Sequence, residues 1–202
     1  MTSIADDLAW LLLDDDTGRF LVDRSTDSHA LGVALELDAA PDLRAITPAQ
    51  IRPDHGPRAA ALRQRQLDRV LTRNAERQRI CAVPMRRFGV FPGWRWPTLD
   101  YDSKVATRRD IERELFDPTR RISDPPTVML IALLDAVHVL QPQCPEHDAA
   151  SINRQVADML GRRAYARLPS TVVRDMIGGD YRTVIGDLAY PLLRRIPYQR
   201  DA

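Results

Sequence analysis

Residues 3–23, SIADDLAWLLLDDDTGRFLVD, place an apolar helix directly before an acidic turn and a short extended segment. Ser3 is a good N-cap, and the carboxylate of Asp6 lies near the positive end of the helix. Helical spacing puts four apolar residues on one face, namely Ile4, Leu8, Leu11 and Leu12. Gly18 can take a positive φ. We therefore predict a core helix over 4–13 that ends in a turn.

A second stretch, residues 124–140 (DPPTVMLIALLDAVHVL), is apolar almost throughout. Asp124 can cap a helix in which Pro125 takes the first position. The pattern predicts a buried central helix over about 124–141, in which His138 is a core histidine. A run of this length is too short to cross a bilayer, because a transmembrane helix needs about 20 apolar residues.

The remaining pattern predicts amphipathic helices around this central one, at 29–38, 58–76, 103–116, 149–167, 171–177 and 181–196. Residues 79–97 break the helical pattern with aromatic residues, glycines and prolines, which favours a β-hairpin-like arm. We expect an all-α bundle around a central apolar helix, with one such arm. At 202 residues, one domain over 1–202 is the default.

These two stretches resemble the Golgi phosphoprotein 3 family, over roughly residues 3–165. The matching residues are the leucines of 11–13, the acidic turn of 15–18 and the apolar helix of 124–140. The resemblance implies a non-enzymatic peripheral membrane protein that binds phosphatidylinositol 4-phosphate. The strong preference for arginine and the short first loop favour a bacterial member.

Composition narrows the classes of function. The chain has 29 basic and 28 acidic residues, a net charge of +1, which argues against nucleic acid as a partner. Lys104 is the only lysine. Two widely separated cysteines and the lack of a signal peptide favour the cytoplasm. We find no catalytic motif, no metal-ligand spacing and no cofactor motif, and expect no enzyme activity, no metal and no cofactor.

The predicted arm combines aromatic residues with arginines. Its aromatic side chains are Phe88, Phe91, Trp94 and Trp96. Rings of this kind suit the headgroup region of a bilayer, where guanidinium groups can bind phosphates. The same rings could instead cover the protein's own core. A third reading is a contact between copies in a homo-oligomer, because the resembled family uses its hairpin in this way.

A basic cluster surrounds the start of the helix near residue 104. It contains Arg95, Lys104, Arg108 and Arg109. Helix N-terminal amides attract anions, and the resembled family binds its inositol phosphate near the equivalent helix. The spacing of Lys104 and Arg108 would let both reach one headgroup. The alternative is a solvated helix face that carries ion pairs.

The loop over 20–30 departs from the family, whose eukaryotic members place a tryptophan and a basic residue there. This loop has no tryptophan, and Arg24 and His29 are the candidate substitutes. Two hypotheses follow. The first is a cytoplasmic protein attached to the inner face of a membrane through a phosphoinositide or other anionic phospholipid. The second is a helical protein-interaction or adapter module that has lost lipid binding.

Overall fold

Apolar stripes at helical spacing build most of this fold, which a computed structural model describes for residues 3–45, 57–87, 91–117, 124–162, 166–167 and 169–175. The elements, in chain order, are α1 Ile4–Leu11, α2 Arg24–Ala39, a 3₁₀ turn at Leu43–Ala45, α3 Pro57–Glu76, β1 Val83–Arg87, β2 Phe91–Arg95, α4 Tyr101–Phe116, α5 Pro125–Ala136, α6 Leu140–Gln143 and α7 Ala149–Arg162. Residues 169–175 are also helical.

Helix α5 lies at the centre and packs against α1, α4 and α7. Its residues from Val128 to Leu134 are all buried, as expected for a helix that is apolar on every side. The carboxylate of Asp124 accepts a hydrogen bond from the Thr127 amide at 3.3 Å and so caps the helix, with prolines in its first turn. The predicted cap and start are therefore confirmed.

The predicted single helix over 124–141 is wrong at its end. Helix α5 stops at Ala136, and His138 takes a φ of 59° before α6 begins at Leu140. A left-handed residue cannot continue an α-helix, so the chain turns there and His138 becomes exposed rather than buried. Pro142 lies within the first turn of α6, where its missing amide proton breaks no helical bond.

Helix α1 is held at its start by α2. The carboxylate of Asp38 accepts hydrogen bonds from the Ile4 amide at 2.7 Å and the Ala5 amide at 3.1 Å. Helix α2 itself begins at Arg24, where Asp23 caps it, so much of the loop expected over 20–30 is helical. The helix begins before the predicted residue 29 because Asp23 caps its N-terminus and the residues that follow are compatible with a helix.

Helix α3 packs against α1 and α2, and its buried side chains recur at i, i+3, i+4 and i+7, which are Leu67, Val70, Leu71 and Asn74. Its arginines neutralise a buried acid on α1. Arg73 Nε donates to Asp6 at 2.7 Å and Arg77 Nη1 donates at 2.6 Å, while Asp6 is fully buried. This arrangement satisfies a charge that would otherwise be costly inside the core.

The arm is a two-stranded antiparallel hairpin, with Val83 opposite Arg95 and Arg87 opposite Phe91. A further bridge between Ile80 and Thr98 extends its base toward the core. The all-α class with one hairpin is thus confirmed. The helix predicted over 181–196 lies outside the described residues, and the single domain over 1–202 stays a prediction. Within the described part of the chain, no helix has the length and apolar character needed to cross a membrane.

Candidate functional site: the acidic turn, the hairpin base and the start of α4

The acidic turn after α1 docks onto the base of the hairpin. The Trp96 amide donates to the Gly18 carbonyl at 2.8 Å, and the Thr98 amide lies 3.4 Å from the Asp15 carbonyl. Gly18 has a φ of 62°, and a Cβ atom there would lie 2.2 Å from the nitrogen of Pro97. Only glycine fits, because both the backbone angle and the close approach exclude a side chain.

Two of the predicted headgroup ligands bind this turn. One carboxylate oxygen of Asp15 lies 2.5 Å from Lys104 Nζ, and the other lies 2.8 Å from Arg108 Nη1. Lys104 also donates to the Leu13 carbonyl at 2.9 Å, and Arg108 Nε donates to the side chain of Gln143 at 3.0 Å. One aspartate therefore bridges both cations of α4 and ties them to the end of α1.

The electrostatics of this Asp15 cluster follow from burial. Lys104 is fully buried, and loss of hydration lowers the pKa of its ammonium group, partly offset by Asp15. Burial by itself would raise the pKa of Asp15. The hydrogen bonds and charges of Lys104 and Arg108 outweigh it, so the pKa of Asp15 lies below its usual range. The two cations therefore stabilise the charged form of the Asp15 carboxylate.

Lys104 and Arg108 lie on one face of α4, as their spacing predicts, and both side chains reach the carboxylate of Asp15. Lys104 points into the core and Arg108 is 23% exposed, each with a bond to Asp15. Both side chains therefore meet a single anion. That anion is a carboxylate 93 residues away from Arg108 in the chain, which no local pattern could reveal. Headgroup binding by these two residues stays a prediction.

The other predicted cations lie differently. Arg95 ends β2 and Arg109 follows Arg108 on α4, and both are exposed. Neither makes an ion pair with any residue that the structure describes. Arg24 is the first residue of α2, and its side chain lies outside the described part. Arg95 and Arg109 are therefore the predicted site residues that remain available to an external anion.

The aromatic residues of the arm divide between two roles. Trp96 is half-buried and packs against the core, as the core-covering alternative predicts, whereas Trp94 is 59% exposed. Their ring centroids are 6.4 Å apart. Phe88 lies outside the described residues, and Phe91 begins β2 with a side chain that is likewise not described. Trp94 is thus the ring of the arm that the described structure offers to a partner.

Three exposed apolar residues next to the arm are not among the site residues predicted from the sequence. They are Leu99, 56% exposed, Tyr101, 45% exposed, and Val105, 37% exposed. Tyr101, Val105 and Arg109 recur every four residues, so they share one face of α4. The sequence shows this spacing, but only the fold shows that no described residue covers this face of α4. We call the exposed side chains of Trp94, Arg95, Leu99, Tyr101, Val105 and Arg109 the hairpin–α4 surface.

A cavity of about 140 Å³ lies elsewhere, between α1, α4 and α5. Its lining residues include Asp7, Asp110 and Asp124. Burial raises the pKa of Asp7, although Arg79 binds it at 2.9 Å and opposes the shift. An acidic lining disfavours an anionic headgroup in this cavity.

The fold and the hairpin–α4 surface define a class: an all-α domain with one hairpin, which carries exposed aromatic and basic residues on a single segment. The family model for Golgi phosphoprotein 3 (GPP34) matches residues 43–179, about two thirds of the chain. The chain therefore belongs to the Golgi phosphoprotein 3 family. The match includes the hairpin and α5 but not α1 and the acidic turn, on which much of the resemblance rested. A comparison with curated protein sequences finds no match.

Proposed function

We propose that this protein is a non-enzymatic peripheral membrane protein that binds anionic phospholipid headgroups, including phosphoinositides such as phosphatidylinositol 4-phosphate. One observation carries the proposal. Among the described residues, four of the six exposed large apolar side chains lie between Trp94 and Val105, and exposed arginines stand beside them at positions 95 and 109. Membership of the family supports the same reading.

The physical basis is the layered chemistry of a bilayer surface. Tryptophan and tyrosine favour the headgroup boundary, where an apolar ring is buried and a polar group stays wet. Each arginine near an anionic leaflet contributes about 1 kcal/mol, and this contribution is screened by salt. The cytoplasmic leaflet carries the negative surface potential, so we place the attachment on the inner face. Shallow insertion strengthened by two free arginines would give weak, salt-sensitive binding.

Flotation with liposomes tests this proposal. The purified protein is mixed with vesicles of neutral phosphatidylcholine, with and without phosphatidylinositol 4-phosphate, at low and high salt. We expect capture by the anionic vesicles and release at high salt. The variant Arg95→Ala, Arg109→Ala should lose capture. Its matched control is Arg65→Ala, Arg69→Ala, which removes two exposed arginines from α3 and should still float.

Lack of capture by any of the vesicles would contradict the lipid proposal. It would favour the second candidate, an interaction or adapter module. The Asp15 cluster favours this candidate, because it occupies two cations that a headgroup pocket would need. In that case the arm would hold a second copy of the chain or another protein. The mass of the protein in solution distinguishes a second copy from another protein, because Phe91→Ala with Trp94→Ala should convert an arm-mediated dimer into a monomer.

A further inference from the structure

We propose that α3 carries a second interaction surface, which binds an acidic helical segment of another protein. The surface is the row of arginines at positions 65, 69, 73 and 77, which we call the arginine ridge. It lies on a different element from the hairpin–α4 surface and serves a protein partner instead of a bilayer. Binding of such a partner goes beyond the proposed function and does not depend on it.

Positive charge is concentrated in this part of the chain. Residues 57–79 contain seven arginines and two acids, a formal charge of +5, whereas the whole chain carries only +1. Local charge of this kind raises the local concentration and the association rate of an oppositely charged partner. This helix is therefore suited to an acidic ligand, although the protein as a whole is nearly neutral.

The arginine ridge follows one row of the helix. Residues four positions apart are neighbours on a helix surface, and each such step rises about 6 Å, so the row from Arg65 to Arg77 spans about 18 Å. Arg65, Arg69 and Arg77 are exposed, and Arg73 is half-buried. The four side chains therefore lie at regular intervals along one line of the helix surface.

Two of these arginines are held in place by an internal contact. Arg73 and Arg77 share the carboxylate of Asp6, which is fully buried, yet their own side chains are 41% and 50% exposed. One carboxylate cannot neutralise two guanidinium groups, so the pair keeps a net positive charge. Each guanidinium has five N–H donors, and Asp6 uses only some of them. Because Asp6 fixes both side chains, they lose little conformational freedom when a partner binds.

The regular spacing of the arginine ridge favours a helix as the partner. A helix with an acid at every fourth residue presents carboxylates at the same interval of about 6 Å. Rows of this kind pack side by side in the commonest class of helix–helix contact, and arginine can bind each carboxylate through two hydrogen bonds. Leu62, which is 55% exposed and lies one turn before the row, supplies an apolar contact at its end.

Composition favours a protein over a bilayer as the ligand of α3. Residues 57–79 contain no aromatic residue, so this helix lacks the rings that favour a headgroup boundary. Asp68 and Glu76 are exposed and interrupt the positive charge. A folded partner can place its acids opposite the arginines and away from these two carboxylates, whereas a fluid leaflet has no fixed pattern of charge.

Fluorescence anisotropy with a labelled peptide and the full chain tests this surface. The probe is an alanine-rich peptide of about 20 residues, long enough to form a helix, with a glutamate at every fourth position. The control peptide has the same composition, but its glutamates are distributed around the helix. We expect saturable binding of the probe at low salt and weaker binding at high salt. The control should bind at least about threefold more weakly, because its carboxylates do not face the row.

Two variants separate this surface from the hairpin–α4 surface. Arg65→Ala with Arg69→Ala should weaken binding of the probe by about fivefold or more, since an exposed ion pair contributes up to about fivefold. The same variant should keep the vesicle capture of the wild type. Both side chains are exposed, so we expect the fold to be kept. Arg95→Ala with Arg109→Ala should bind the probe as the wild type does.

Three results would overturn the arginine ridge as a protein-binding surface. They are a lack of saturable binding of the probe, equal affinity for the probe and the control peptide, and loss of vesicle capture in the Arg65→Ala, Arg69→Ala variant. The last result would assign the ridge to the bilayer. Binding of the probe without any vesicle capture by the wild type would contradict the proposed function and support the arginine ridge.

Discussion

Arg108 and Arg109 are neighbours on α4, yet they belong to different parts of the molecule. Arg108 turns toward the acidic turn and shares Asp15 with the buried Lys104, whereas Arg109 is exposed and makes no ion pair with a described residue. Successive residues of a helix point about 100° apart, so adjacency in sequence does not mean a shared surface. A run of basic residues becomes a binding site only where the fold leaves its charges without an internal anion.

The largest expected effect comes from breaking the contact between Gly18 and the hairpin base. This contact positions the acidic turn, whose Asp15 binds Arg108. Gly18→Ala should lower the free energy of unfolding by about 4 kcal/mol or more, because φ is positive and the new Cβ would clash with backbone of the hairpin base. Chemical denaturation measures the loss. Gly32→Ala is the control, since its Cβ would meet Arg63 Cδ at an ordinary 3.4 Å within a helix and should be neutral or stabilising. Equal stability of the two variants would contradict the proposed docking of the turn.

The next effect tests whether Lys104 belongs to the fold. Lys104→Met keeps an unbranched side chain but removes the ammonium group from Asp15 and from the Leu13 carbonyl. We expect the free energy of unfolding, measured with urea at pH 7, to fall by about 3 kcal/mol, as it does when a buried ion pair loses one partner. Arg109→Met removes the same charge from an exposed position and should cost less than about 0.5 kcal/mol. Similar losses of stability in both variants would contradict the distinction between the buried Lys104 and the exposed Arg109.

A smaller effect appears in the pH dependence of stability. Because the pKa of Asp15 is lowered in the folded protein, its ionised form stabilises the fold above the ordinary aspartate range. That contribution is lost as the pH falls below about 4. The urea midpoint of Asp15→Asn should therefore fall less steeply between pH 5 and pH 2 than that of the wild type. A slope equal to that of the wild type would contradict this role of Asp15.

The smallest effect on stability comes from the hairpin–α4 surface. Trp94→Ser and Arg109→Ala should each change the free energy of unfolding by less than about 0.5 kcal/mol, since both side chains are exposed. Both should nevertheless reduce capture by anionic vesicles. A variant that loses several kcal/mol together with vesicle binding would assign that residue to the fold instead of the surface.

Much of the fold could be predicted because its signals are local. Helical spacing located α1, α3, α5 and α7, and the cluster of aromatic residues and glycines located the hairpin. The end of α5 could not be predicted, since the turn at His138 interrupts an apolar run that contains no glycine before Pro142. Prediction of the candidate site was partial. It named Arg95, Arg109 and Trp94, which are exposed, but it missed Leu99, Tyr101 and Val105.

The sequence by itself determined the class of fold, the central apolar helix, the hairpin and the concentration of cations near α4, because spacing, caps and composition act over a few residues. The tertiary structure alone decided which cations are free. The acidic turn and α4 are distant in the chain, and only packing brings Asp15 to Lys104 and Arg108. Electrostatic energy depends on distance in space and on burial. The same residue type therefore stabilises the fold in one place and remains open to a partner in another.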